Sequence, residues 1–64
     1  MTKREHSEDL LAVCEENIAD CEREIAAIGV PHTDGDRFSL RGFTEALAIL
    51  KELREELRAS LEAA

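Results

Sequence analysis

Residues 11–31 read LAVCEENIADCEREIAAIGVP, and their pattern predicts a helix, its packing side and its end. Its apolar repeat alternates spacings of three and four residues, at Leu11, Cys14, Ile18, Cys21, Ile25 and Ile28. Such a 3.5-residue repeat is typical of a helix that packs lengthwise against a second helix. Gly29 suits the positive backbone angle found at many helix ends, and Pro31 cannot continue a helix. The sequence therefore predicts a long helix that ends at residue 28.

The start of this first helix carries its own signal. Thr2-Lys3-Arg4-Glu5 matches a capping box, in which the Thr2 hydroxyl accepts a hydrogen bond from the backbone N–H of Glu5. Ser7, followed by two acids, is an alternative cap. The first helix is predicted at about residues 3–28.

A connector is predicted at about residues 29–38, with Asp34-Gly35 as a turn pair. Two forms stay open: an irregular loop, or a short β-hairpin that pairs residues 30–33 with residues 36–40. The second helix, at about residues 40–61, is expected to start after Ser39 or near Thr44, because Gly42 is a poor interior residue. Its apolar repeat has one polar intrusion, Arg54, and consists of Leu40, Phe43, Leu47, Leu50, Leu57 and Leu61.

The charges beside the two repeats predict how the helices pair. In an antiparallel pair the same flank of each helix meets, which would bring Glu15 near Lys51 and Glu8 near Arg58. Each exposed pair contributes less than about 1 kcal/mol, so these pairs select orientation rather than supply stability. The predicted fold class is all-α, an antiparallel two-helix hairpin.

The opposite flank is apolar, and two helices alone leave it uncovered. It forms a predicted partner interface of Leu10, Val13, Ala46, Ile49 and Leu53. Exposing its four large side chains forfeits about 1.5–3 kcal/mol each relative to burial. The expected solution is a second copy of the chain, which gives a homodimeric four-helix bundle. Two alternatives stay open: a different protein covers the flank, or the connector or a terminus does.

Composition narrows the class of partner. The 64 residues carry a net charge of −7, so nucleic acid and anionic membranes are not expected partners. No apolar run approaches the roughly 20 residues that span a bilayer, and a cytoplasmic protein is expected. The acidic face of the first helix is either a solubilising surface or the surface of an inhibitor that binds a basic protein. It consists of Glu15, Glu16, Asp20, Glu22 and Glu24.

No catalytic, metal or cofactor site is expected. Cys14 and Cys21 lie seven residues apart, whereas a helix presents chelating pairs at spacings of three or four, so they are interpreted as apolar seam residues. Asp34-Gly35-Asp36 lacks the later oxygen ligands and the glycine of a calcium loop. Arg54 needs a carboxylate or a carbonyl if it is buried, or else it reaches solvent along its stem.

The order of features resembles the small head-to-tail joining proteins of tailed phages. The resemblance covers a long helix, Gly29, a connector with Asp34-Gly35, and Arg37-Phe38-Ser39-Leu40 leading into a Leu-rich helix. It implies two helices joined by a β-hairpin, and a ring-forming, non-catalytic adaptor located in the virion. The connector is several residues shorter than the hairpin of that family.

Overall fold

The computed structural model describes residues 2–63, which form two α-helices packed against each other. Helix α1 spans Lys3–Ile28 and helix α2 spans Asp34–Ala63. No strand occurs within residues 2–63. The all-α fold of two packed helices is therefore confirmed, and the β-hairpin alternative for the connector, which the phage-protein resemblance also implies, is wrong.

Both ends of α1 follow from local sequence signals. The Thr2 hydroxyl accepts a hydrogen bond from the Glu5 backbone N–H at 3.1 Å, as the capping box predicts. At the other end, the Gly29 N–H donates to the Ile25 carbonyl at 3.1 Å. Gly29 has φ 61° and ψ −129°, a backbone conformation that residues with a Cβ rarely adopt. The predicted end of the first helix is therefore confirmed.

Helix α2 begins at Asp34 rather than near residue 40, so the connector is residues 29–33 and not about 29–38. The cause is a second capping arrangement. The Thr33 hydroxyl accepts from the Asp36 N–H at 3.0 Å, and the Asp36 carboxylate accepts from the His32 N–H at 3.1 Å. Acids in the first turn also favour the positive end of a helix dipole. Asp34-Gly35 therefore lies in the first turn of a helix instead of a β-turn.

The helices run antiparallel. At the open end of the hairpin, the start of α1 lies beside the end of α2, with Lys3, Arg4, Ser7, Ser60 and Leu61 around one shallow depression. Midway along the pair, the Cys14 thiol donates to the Leu50 carbonyl at 3.1 Å. Cys14 and Ile18 are the only residues among those described that are buried. The interior of the hairpin is therefore thin.

The overall dimensions show how little surface the hairpin hides. Its principal extents are 47 × 15 × 13 Å, and its radius of gyration is 14.7 Å, against about 11 Å for a compact domain of this length. Its accessible surface is 4858 Å² for a mass of 7.1 kDa, whereas a compact monomer of that mass exposes about 4,100 Å². The two helices together leave more surface in contact with water than a compact fold would.

Candidate interaction surface

The predicted partner interface is open to solvent in the isolated chain. Its four large members are exposed: Leu10 by 44%, Val13 by 53%, Ile49 by 66% and Leu53 by 41%. Ala46 is half-buried beside them. Neither the connector nor the described parts of the termini cover these side chains. We call these five residues the apolar face.

One cross-helix ion pair shows on which side of the hairpin the apolar face lies. The Arg58 guanidinium donates to the Glu15 carboxylate at 3.0 Å, so the flank of α1 that carries Glu15 meets the flank of α2 that carries Arg58. Leu10 on α1 and Leu53 on α2 belong to the other flank of each helix. The charged side and the apolar face are thus on opposite sides of the seam, as the repeat predicts.

The partners within the charged flank differ from those predicted. Glu15 pairs with Arg58 and not with Lys51, and Glu8 pairs with Arg4 of its own helix at 3.1 Å. Side chains on a helix lean toward its N-terminus. In antiparallel helices Arg58 and Glu15 therefore lean toward each other, whereas Lys51 leans away from Glu15. Both side chains of the Glu15–Arg58 pair remain 46% exposed, so the pair adds little stability.

Two further exposed apolar side chains lie outside the set predicted from the sequence. Phe38, on the first turns of α2, is 82% exposed, and Val30 in the connector is also exposed. Because α2 starts early, Phe38 is helical, and it shares one side of that helix with part of the apolar face. On that side of α2, apolar residues and one glycine recur at spacings of three or four residues. We call them the α2 stripe: Phe38, Gly42, Ala46, Ile49 and Leu53.

A shallow groove interrupts the α2 stripe near the connector end. Its volume is about 330 Å³, and it is lined by Phe38, Ser39, Gly42, Phe43 and Ala46. Gly42, which has no side chain, lies in the groove, and a Cβ built there meets no other atom within 4 Å, so a larger side chain would extend into the open space. Gly42 lies inside a helix, where glycine is less favourable than alanine by roughly 1 kcal/mol. The stripe thus has a notch beside its most exposed aromatic ring.

The acidic face predicted on α1 is not one patch. All five carboxylates are exposed, but successive residues of a helix point about 100° apart, so Glu15 and Glu16 face different directions. Glu15 is paired with Arg58, and Asp20 is paired with Arg23. The acids therefore surround the solvent side of α1 and are partly neutralised. Glu16, Asp20 and Glu24, spaced by four residues, nevertheless share one side of α1.

Comparison with known proteins finds no family model, no curated protein and no solved structure that matches the chain.

The two cysteines, which could serve as metal ligands, differ in burial. Cys14 is buried and Cys21 is half-buried, and both are free thiols. Within residues 2–63, no three side chains of the His, Cys, Asp and Glu types converge as a metal site would require. Neither α1 nor α2 has the length and apolarity to cross a membrane.

Arg54 lies at the seam and is mostly covered, with 26% of its side chain exposed. Its Nε atom is buried and has no hydrogen-bond partner in the described structure. The Glu55 carboxylate lies 3.9 Å away, beyond hydrogen-bond range. The seam therefore contains one polar atom that the hairpin itself does not satisfy.

Proposed function

We propose that the chain is a non-enzymatic structural or interaction module that acts by self-association. Two hairpins pack their apolar faces together and form a four-helix bundle. The observation that carries this proposal is the simultaneous exposure of Leu10, Val13, Ile49 and Leu53 on one side of a hairpin in which only two of residues 2–63 are buried. These side chains are about half covered already, so covering the remainder recovers roughly 3–6 kcal/mol of burial free energy per chain before the losses of association are subtracted.

The available area fits a dimer interface. One whole side of the hairpin is 47 Å long and about 15 Å wide, which sets an upper limit on the footprint on the order of 700 Å², just below the roughly 800 Å² per partner of stable protein interfaces. A second copy is proposed over a different protein because its α2 stripe, about 22 Å from Phe38 to Leu53, has the same length as the stripe it would cover.

Net charge opposes this assembly without preventing it. Each chain carries −7, and two copies repel each other at long range. The charged flank of Glu15 and Arg58 lies on the opposite side of the seam from the apolar face, so burying the face does not desolvate that ion pair. Self-association therefore combines local apolar attraction with a weaker global repulsion.

The test replaces two members of the apolar face with charged residues. Ile49→Glu combined with Leu53→Glu should convert a dimer into a monomer with reduced helicity, measured by light scattering and circular dichroism. Ala48→Glu combined with Ala59→Glu is the matched control: it adds the same charge at exposed sites of α2 outside the α2 stripe. The control should keep the mass of the unmodified chain.

An identical mass for the unmodified chain and both variants, with equal thermal stability, would show that the apolar face does not mediate self-association. Loss of the dimer in the control as well would assign the effect to added charge rather than to the apolar face.

A further inference from the structure

We infer that the two hairpins associate with their connectors at opposite ends, with α2 antiparallel to α2 of the other copy and Ala46 at the two-fold axis. In this register Ile49 of one copy fills the notch at Gly42 of the other. The inference rests on the self-association proposed above and adds its geometry.

The α2 stripes of two copies fit together in shape when the two helices run in opposite directions. Turned end to end about Ala46, the stripe places Phe38 within one residue of facing Leu53 and Gly42 within one residue of facing Ile49, while Ala46 meets Ala46. The large Ile49 side chain then faces the gap at Gly42, and the small Ala46 side chains meet at the centre, so the helices can pack closely there. Phe38 and Leu53 pack against each other at the two ends of the stripe. The groove that Gly42 leaves open receives the exposed Ile49 side chain.

Parallel packing of α2 on α2 lacks this fit. It would set Phe38 against Phe38 and Gly42 against Gly42, so that the bulkiest side chains collide while the notch stays empty. Voids and collisions of this kind both destabilise a packed interface. The distribution of side-chain sizes along the stripe therefore selects the antiparallel register.

Charge beside the stripe favours the same register. Arg41 lies on one edge of the stripe near the connector end of α2, and Glu52 and Glu56 lie on that edge toward the other end. Reversal brings Arg41 toward these two carboxylates of the other copy. Glu45, close to the axis, would approach its own counterpart, but its carboxylate already accepts from Arg41 at 3.2 Å. This edge carries one arginine and three glutamates, so Arg41 favours the antiparallel register over the parallel one, while the remaining negative charge on the edge opposes association.

The antiparallel arrangement also brings exposed apolar side chains outside α2 closer together. With connectors at opposite ends, the open end of each hairpin lies beside the connector end of the other copy. That end presents Val30, which is 73% exposed. Leu10, the member of the apolar face nearest the open end, is thus directed toward the connector of the other copy.

A disulfide test reads the register directly. Phe38→Cys and Leu53→Cys chains are mixed, oxidised mildly, and mapped by mass spectrometry of the linked peptides. Facing positions bring Cβ atoms within the roughly 4 Å that a disulfide needs. The expected product joins residue 38 of one chain to residue 53 of another. Both positions are exposed, so the substitutions leave the hairpin fold intact.

Filling the notch by mutation gives a second test of the register. Gly42→Leu should weaken the dimer at least roughly tenfold, because the new side chain occupies the space of Ile49 from the other copy. Ala48→Leu adds a large apolar side chain at an exposed site off the stripe and should leave the dissociation constant unchanged.

The outcomes separate the register from the association itself. A dimeric chain whose products join 38 to 38 and 53 to 53, or whose Gly42→Leu variant associates as well as Ala48→Leu, contradicts the register and leaves self-association standing. A chain that remains at 7.1 kDa by light scattering contradicts both proposals.

Discussion

Arg54 is the residue at which the sequence repeat and the chemistry of the seam conflict. Its position in the repeat demands an apolar side chain, and its Nε is buried without a hydrogen-bond partner in the described structure. Leaving such a donor unsatisfied costs about 1–3 kcal/mol. The stem of Arg54 nevertheless packs on the seam while the remainder of the side chain reaches water. Arg54 therefore contributes contact area but opposes stability through its Nε.

Replacing this guanidinium with an apolar side chain should stabilise the hairpin. Arg54→Leu restores the repeat and removes the unsatisfied donor, so the free energy of unfolding should rise by about 1–2 kcal/mol, measured by urea titration. Arg23→Leu serves as the control, because Arg23 is exposed and pairs with Asp20 on the surface. It should change stability by less than about 0.5 kcal/mol. A destabilised Arg54→Leu chain would show that the guanidinium has a partner that the hairpin lacks.

At the scale of the helices, hydroxyl caps decide where each one starts. Thr33 caps α2 through the Asp36 N–H, while Thr44, inside α2, donates back to the Leu40 carbonyl at 2.7 Å. The same residue type is favourable at a helix start and neutral or unfavourable in a helix interior. The position of a threonine in its helix therefore determines the sign of its effect.

The same substitution at these two threonines should have opposite effects. Thr33→Ala removes the acceptor of the Asp36 N–H and should lower the free energy of unfolding by about 1 kcal/mol. Thr44→Ala exchanges a residue of lower helix propensity for the most favourable one and should be neutral or stabilising. Thermal unfolding followed by circular dichroism measures both. Equal losses at both sites would remove capping as the reason for the early start of α2.

The sequence allowed α1 to be predicted at both ends, because its capping box, which prevailed over the alternative cap at Ser7, and its Gly-x-Pro stop are local signals. The start of α2 was misplaced, because Asp34-Gly35 matched a turn and Gly42 argued against a helix interior. Thr33 and Asp36 have the same cap spacing as Thr2 and Glu5, and that signal could have placed the start correctly. The helix then extends past Gly42 because packing along the seam outweighs one unfavourable residue.

The apolar face was predictable in membership but not in extent. Its five residues follow from the helical repeat alone, which is the same whichever residue begins the helix. Phe38 joins the α2 stripe only when α2 starts before it, so the error at the helix start concealed the most exposed aromatic ring. The partner of Glu15 was also mispredicted, because flank assignments ignore the direction in which long side chains lean.

For the whole molecule, the affinity between two copies is set by attraction through the apolar face and by repulsion between two negatively charged chains. Added salt screens the repulsion between two chains of charge −7 but leaves apolar contacts in place. The dimer should therefore tighten as ionic strength rises from about 0.02 M to about 0.5 M, where charges beyond the Debye length of a few ångströms no longer interact. Fluorescence anisotropy of a labelled chain, titrated with unlabelled chain, measures this dependence.

An acidic inhibitor of a basic protein would show the reverse trend, because salt weakens association between opposite charges. A self-association that weakened with salt would likewise contradict an interface held by the apolar face. The sign of the salt dependence thus separates the two classes of function.

Sedimentation equilibrium of the unmodified chain, over a roughly hundred-fold range of concentration, tests most directly whether a second copy covers the apolar face. We predict that the mass rises with concentration from 7.1 kDa and levels off at twice that value. A mass that stays at 7.1 kDa throughout, with the helices fully formed, would contradict it.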